Sequence, residues 1–293
     1  VVNVRGKALE RLGLDYAAVR ALNPCIVYVH CVGFGQDGPY ADLQAYDDVI
    51  QAATGTATLL PRVDGNPRPR YLPSLIADKV AGLHAAYGTM AALLHRERTG
   101  EGQCVEVPMY EVFSSFMMLE HLGGQTFDPP CGPVGYARQI DPLRQPFPTA
   151  DGAISIVIYT HDAWDRVFAL LEDPDFITQE RFNVPGGRGA HQDELYGHLT
   201  RLTPNFTTAE LQRRCEAVQI PAQPVRDLGE VIGDPHLNAV GFFTRRDHPT
   251  EGAYFEQAQP VKFSSGSAGP VRMPPNHDEH GAEIRAELAA RKG

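Results

Sequence analysis

The alternation of apolar and polar positions is informative from the first residues. After a strand-like VVNV, a helical stretch runs to Leu12 and stops at Gly13, a left-handed cap; Asp15 then caps YAAVRAL, which ends at Asn23 and Pro24. CIVYVHCV follows, short, β-branched and almost wholly apolar, the pattern of a strand buried on both faces. Farther on, Val80, Leu83, Tyr87, Met90 and Leu94 recur at steps of three and four, which predicts one buried face on a helix of about five turns, closed by Arg96, Arg98 and Gly100. Helices alternating with a buried strand predict an α/β fold with a parallel sheet.

Composition narrows the function classes. The 293 residues suffice for one large domain or two ordinary ones. Asp and Glu outnumber Lys and Arg by 36 to 26, a net charge of -10, so the chain as a whole repels nucleic acid and anionic membrane, and an anionic ligand needs a local basic site. Arg5, Lys7 and Arg11 form the basic group closest in sequence to the first strand, with a solvated helix face as the plain alternative. The five cysteines are scattered without C-x-x-C spacing, which fits reduced thiols and no zinc ribbon. No apolar run approaches a membrane span and no signal peptide is visible, so a cytoplasmic protein without membrane association is expected. His277, Asp278 and His280 lack a third distant ligand, and no metal is expected there. The chain opens without Met, at what reads as the end of a strand, as though an upstream part of the domain were missing.

Two features suggest chemistry. Gly33, Gly35 and Gly38 in CVGFGQDGPY spell G-x-G-x-x-G directly after the buried strand. A dinucleotide fingerprint further requires a helix starting at the third glycine and an acidic strand end about 20 residues on. Here Pro39 follows the third glycine and TATLLPR stands where the acid belongs, so the motif fails that test. A loop at the carboxyl end of a parallel strand nevertheless remains a ligand site by position. Asp78 stands where the long helix begins; as a residue type it reads first as an N-cap and only second as a nucleophile. Asp47 and Asp48 read as acids at a helix start, and Trp164 as packing.

The segments NVRGKALERLGLDYAAVRALNPCIVYVHCVGFGQDGPY, AYDDVIQAATG and ADKVAGLHAAYGTMAALLHRERTGEGQCVEVPMYE resemble the family III CoA-transferases. This is the CaiB/BaiF-type group that includes formyl-CoA and carnitine CoA-transferases. TADGAISIVIYTHDAWDRVFALLEDPDF, IPAQPVRDLGEVIGDPHL, PVKFSS and EHGAEI extend the likeness over essentially the whole chain, apart from the first βα units of the family's CoA-binding domain.

The resemblance implies a Rossmann-like parallel-sheet large domain with an inserted small α+β domain. On this pattern residues 1–139 form the large domain, 140–225 the small one, and 226–293 the return to the large domain. It implies an interlocked homodimer, with coenzyme A entering as an acyl-CoA substrate, a carboxylic acid as the other substrate, and no metal. Asp78 matches the nucleophilic aspartate that becomes an enzyme–CoA thioester, which reverses the order of its two readings. Asn3, Val4, Arg11 and Leu12 fall where the family contacts CoA; Val32, Gly33, Phe34 and Gly35 fall near the bound thioester. The glycine loop is then expected to donate N–H groups to the reaction's oxyanions. Val4 stands where an aromatic residue is usual, and Val32 where Ser or Lys is. The α-methylacyl-CoA racemases of the same superfamily pair the aspartate with a His where this chain has Tyr46, and an unperturbed Tyr is a poor base at neutral pH. A racemase is therefore the second reading, and a noncatalytic fragment the third.

Overall fold

The computed structural model describes residues 1–266 and 272–291. The chain is α/β and divides into two compact units. The first comprises Val1–Pro146 and Asp175–Leu202; the second comprises Phe147–Pro174 and the chain from Thr203 onward.

The first unit opens with α1 (Gly6–Leu12), α2 (Tyr16–Leu22) and β1 (Val27–Val32), then α3 (Asp47–Ala53), α4 (Leu59–Asp64), the long α5 (Ile76–Thr99), β2 (Gln103–Pro108) and α6 (Met109–His121). The predicted punctuation is present: Gly13 ends α1 at φ 64°, and the Asp15 side chain accepts from the Ala18 N–H to open α2. Strands β1 and β2 pair in parallel from Val27 opposite Gln103 to Val32 opposite Pro108. Val2 extends this sheet on the other side of β1, its N–H donating to Val29 O and its carbonyl accepting from Cys31 N, both at 2.8 Å.

Two apolar clusters hold these elements together. Val29, Ala85 and Val107 seat the middle of α5 on the two strands. Phe34, Ile50, Ala77, Val80, Met109, Phe113 and Met117 join the start of α5 to α3, α6 and the loop after β1. Phe113 and Ile50 are fully buried, each adding roughly 1.5–3 kcal/mol relative to an exposed position.

The predicted apolar stripe of α5 is only partly in this core. Val80 is buried, but Leu83, Tyr87, Met90 and Leu94 are 52% to 69% exposed. The smaller Ala77, Ala85 and Ala92 face inward, because a close approach of the helix to its neighbours leaves no room for long side chains.

After α6 come β3 (Phe147–Pro148), β4 (Ala153–Ile156) and α7 (His161–Leu170) of the second unit. The short α8 (Glu180–Asn183), α9 (Gly187–Ala190) and α10 (Gln192–Leu202) follow in the first. The second unit then adds α11 (Thr208–Ala217), β5 (Ala222–Pro224), α12 (Pro235–Ala239), the hairpin strands β6 (Phe243–His248) and β7 (Gly252–Gln257), and α13 (Gly281–Ala290). Its antiparallel sheet runs β3-β4-β5. Buried Ile154, Trp164, Val167, Phe168, Leu211 and Cys215 supply its apolar interior, with the Trp164 and Phe168 rings stacked 6.1 Å apart.

Candidate active site

Asp78 is not the cap of α5. Leu75 occupies the N-cap position without a side-chain bond, and Asp78 is the third helical residue, exposed at the surface. The capping function comes from 31 residues upstream, where Asp47 Oδ1 accepts from the backbone N–H of Ala77 at 2.7 Å and of Asp78 at 3.1 Å. Asp47 is only 3% exposed, and its other oxygen accepts from Gln51 Nε2 at 2.6 Å. Gln51, fully buried one turn along α3, also donates to Ser74 O at 3.1 Å and accepts from Leu72 N at 2.8 Å. The two side chains thus fix the segment entering α5, satisfying donors that a helix start leaves open.

This arrangement sets the electrostatics of Asp78. Partial burial, and after it the negative charge of Asp47, raises the Asp78 carboxyl above the ordinary aspartate range. A carboxylate so placed at the surface is a more basic, less stabilised anion than a salt-bridged one, as a nucleophile requires. Tyr46, the N-cap of α3, is 74% exposed, its side chain in solvent.

The loop after β1 lies beside the same elements. A Cβ on Gly33 would collide with that of Ala45, so glycine permits the loop to pack on the chain that enters α3 two residues later. Phe34 is buried in the same cluster as Ala77 and lies under Tyr40 and Tyr110, with ring centroids 5.5 and 5.3 Å away. The structure therefore brings Gly33, Phe34 and Gly35 together with Asp47 and the start of α5.

The Phe34 side chain is core, so any ligand contact at this residue falls to its backbone. The loop's amides are also not free: Gly35 N–H donates to Glu111 Oε1 at 2.9 Å, Gln36 N–H to Glu106 Oε1 at 3.0 Å, and Gly38 N–H to Gly35 O at 3.3 Å. Those three amides are not available as oxyanion donors in this conformation.

Asn3 and Val4 are exposed beside the carboxyl end of β1, where His30 Nε2 is 2.9 Å from Val4 O. Val32 ends that strand, so Asn3, Val4 and Val32 to Gly35 share one sheet end. Arg11 and Leu12 do not join them. Helix α1 begins with Gly6 near the Gln36 side chain and runs away for about 9 Å along its axis, leaving both residues exposed near Leu14, whose carbonyl accepts from Tyr28 OH. Lys7 is paired with Asp42 at 2.8 Å.

A separate cavity of about 220 Å³ lies at the far ends of α3 and α6, lined by Leu59, Met117, Met118 and Val134 with Arg62 and His121. It includes none of the predicted site residues. Among the described residues no cluster of three His, Cys, Asp or Glu side chains could hold a metal ion, and no helix is long and apolar enough to cross a membrane.

Asp47, Gln51, Glu106 and Glu111 are bonding side chains of the site that residue type alone does not mark as functional. The i, i+4 spacing of Asp47 and Gln51 beside the apolar Ile50 was the available signal, since it puts two polar groups next to a buried position.

Residues 1–281 match the model of CoA-transferase family III. The succinate–glutarate CoA-transferase of Agrobacterium fabrum is 27% identical over 288 residues, spanning 98% of this chain and 72% of that protein. The formyl-CoA:oxalate CoA-transferase of Afipia carboxidovorans is 28% identical over 312 residues, with the same coverage of 98% and 72%. A crystal structure of a CaiB/BaiF family protein from Brucella suis superposes with a TM-score of 0.78 at 27% identity, covering 98% of this chain and 74% of that one.

Proposed function

Since the chain belongs to CoA-transferase family III, we propose that Asp78 is its nucleophile and that it carries CoA between two carboxylic acids as an aspartyl-CoA thioester. The observation that carries this reading is the Asp78 carboxylate itself: exposed, raised by burial and by Asp47, and fixed at the backbone by that same neighbour.

The carboxylate attacks the carbonyl carbon of an acyl-CoA, the C–S bond breaks, and CoA leaves as thiolate, giving a mixed anhydride of Asp78 and the donor acid. The thiolate then attacks the aspartyl carbonyl, forming the Asp78 thioester and releasing the donor acid with an oxygen that came from Asp78. An acceptor carboxylate runs the two steps in reverse, so the thioester bond energy is conserved at each stage. Each addition develops an oxyanion. The Gly35 and Gln36 amides serve it only after leaving Glu111 and Glu106, and otherwise the charge falls to other donors or to water.

The substrates are read as an acyl-CoA and a small carboxylic acid, in line with the succinate, glutarate, formate and oxalate in the names of the two relatives. CoA is read along the sheet end at the exposed Asn3 and Val4 and the half-buried to buried Val32 to Gly35, with Arg11 and Leu12 reached only by a distal part of the molecule. The division at residues 139 and 225 and a cytoplasmic location belong to the same reading. The exposed stripe of Leu83, Tyr87, Met90 and Leu94 supports a homodimer, in which a second copy would cover it.

Intact-protein mass spectrometry tests the reading. The chain is incubated with succinyl-CoA, formyl-CoA and oxalyl-CoA in turn, then quenched with hydroxylamine. An adduct of CoA mass, converted to a hydroxamate at residue 78, is expected with at least one donor. Exchange of an acyl-CoA α-proton with solvent and no adduct from any donor would replace this reading with the racemase.

A further inference from the structure

The loop after β1 and the first turn of α6 exchange hydrogen bonds across a wide sequence separation. Tyr110 N–H, an amide that the helix start leaves open, donates to Gly33 O at 2.9 Å. Gly35 N–H returns a bond to Glu111 Oε1, also at 2.9 Å.

Glu111 is the third residue of α6, where an acidic side chain commonly folds back onto the N-cap N–H. The N-cap here is Pro108, which has no N–H, so the carboxylate lacks its usual local partner and instead accepts from the loop. The approach is close enough to require glycine: a Cβ on Gly35 would lie 2.5 Å from Glu111 Oε1. Glu106, opposite His30 in the β1–β2 register, holds the next amide, Gln36 N–H.

We propose that Glu111 is a positioning residue for the CoA-binding edge, fixing the Val32 to Gly35 turn in the shape that receives the thioester end of acyl-CoA. The inference rests on the CoA-side role of that turn given above. Glu106 is the auxiliary tie, and neither carboxylate touches the reacting atoms.

The test combines Glu111→Ala, Glu111→Gln, Gly35→Ala and the Glu111→Ala/Gly35→Ala double variant. Each is measured for its Kd for free CoA by calorimetry, for KM and kcat with the donor that gives the adduct, and for its urea midpoint. Loss of one charge-assisted bond at a part-buried site corresponds to roughly a five- to tenfold rise in Kd and KM in Glu111→Ala, with kcat little changed. Glu111→Gln keeps an acceptor oxygen and should recover most of the loss. Gly35→Ala should match Glu111→Ala, and the double variant should be no worse than either, because both changes break the same contact.

An unchanged Kd and KM in Glu111→Ala overturns the inference, as does full additivity in the double variant. A fall in the urea midpoint that Gln does not rescue, with KM unmoved, assigns Glu111 to stability alone and also overturns it. If the wild-type chain forms no adduct but its CoA affinity still follows this pattern, the positioning role stands and the aspartyl mechanism falls. If the adduct forms equally in all variants and Kd is constant, the reverse holds.

Discussion

Asp78 in the first unit and the bonded acids of the second unit are treated in opposite ways. In the second unit they are paired or capped: Arg214 bridges Glu172 and Glu210 at 2.8 Å, Arg226 holds Asp234 at 2.6 Å, and Arg246 holds Glu256 at 2.7 Å. Asp234 also accepts from the N–H groups of His236 and Leu237, and its carboxyl is held below the ordinary range, first by the Leu237 bond. In the first unit Asp78 is raised, by burial and then by Asp47. The second unit uses its acids to fasten structure. The first unit also fastens structure with acids, among them Asp15, Asp42, Asp47, Asp64, Glu106 and Glu111, but leaves Asp78 less stabilised, which is what a nucleophile needs.

Removing the acid on each side sharpens this contrast, and the largest effect should fall on Asp78. Asp78→Ala should lower the transfer rate by about a thousandfold or more while far-UV circular dichroism and the urea midpoint stay near wild type. A comparable loss of folding would make Asp78 a structural residue. Asp47→Ala comes next, because it leaves the Ala77 and Asp78 amides and the buried Gln51 without their acceptor. A loss of about 2–3 kcal/mol in urea unfolding is expected, together with reduced adduct formation.

In the second unit, Arg214→Ala should lower the urea midpoint only slightly, since its ion pairs are partly exposed and part of the effect is lost stacking over Phe206. It should leave adduct formation unchanged, and a coupled loss of activity would break the comparison. The smallest effect concerns pH. Because the folded chain holds the Asp78 proton more tightly than the unfolded chain does, ionising it costs stability as pH rises through the raised midpoint. Asp78→Asn should therefore be neutral or slightly stabilising at pH 7. In stopped-flow adduct formation the wild-type rate should rise with a midpoint above that of an ordinary aspartate, and Asp47→Asn should move that midpoint down.

Local chemistry made part of this legible in the sequence. Gly13 and Asp15 act within one turn of their own positions, so the ends of α1 and α2 followed from residue type. CIVYVHCV contains β1, which pairs in parallel as expected, but only Tyr28 and Val29 of the strand are buried, the rest being half-buried and Cys25 exposed. The α5 stripe was visible, but periodicity shows that a face is apolar without showing what covers it; alanines took the inside and Leu83, Tyr87, Met90 and Leu94 the outside.

The site was less legible because its key bonds are long-range. Nothing near Asp78 announces that its amide is held by Asp47, or that Glu111 reaches back 76 residues to Gly35. Asp78 resembled its own cap because an acid in a first helical turn carries the same local signature whether it caps or reacts. The glycine spacing likewise announced a close approach, and the approaching group proved to be a carboxylate of the same chain.

The most direct test of the Asp78 claim is the fate of acceptor oxygen. After turnover with an acceptor acid labelled with ¹⁸O in its carboxylate, the peptide containing residue 78 is isolated and its mass is measured. Attack on an Asp78 thioester by the acceptor, followed by CoA attack on the acceptor carbonyl, predicts that the Asp78 carboxyl gains one heavy oxygen. Transfer of CoA with no label in that peptide would contradict the account.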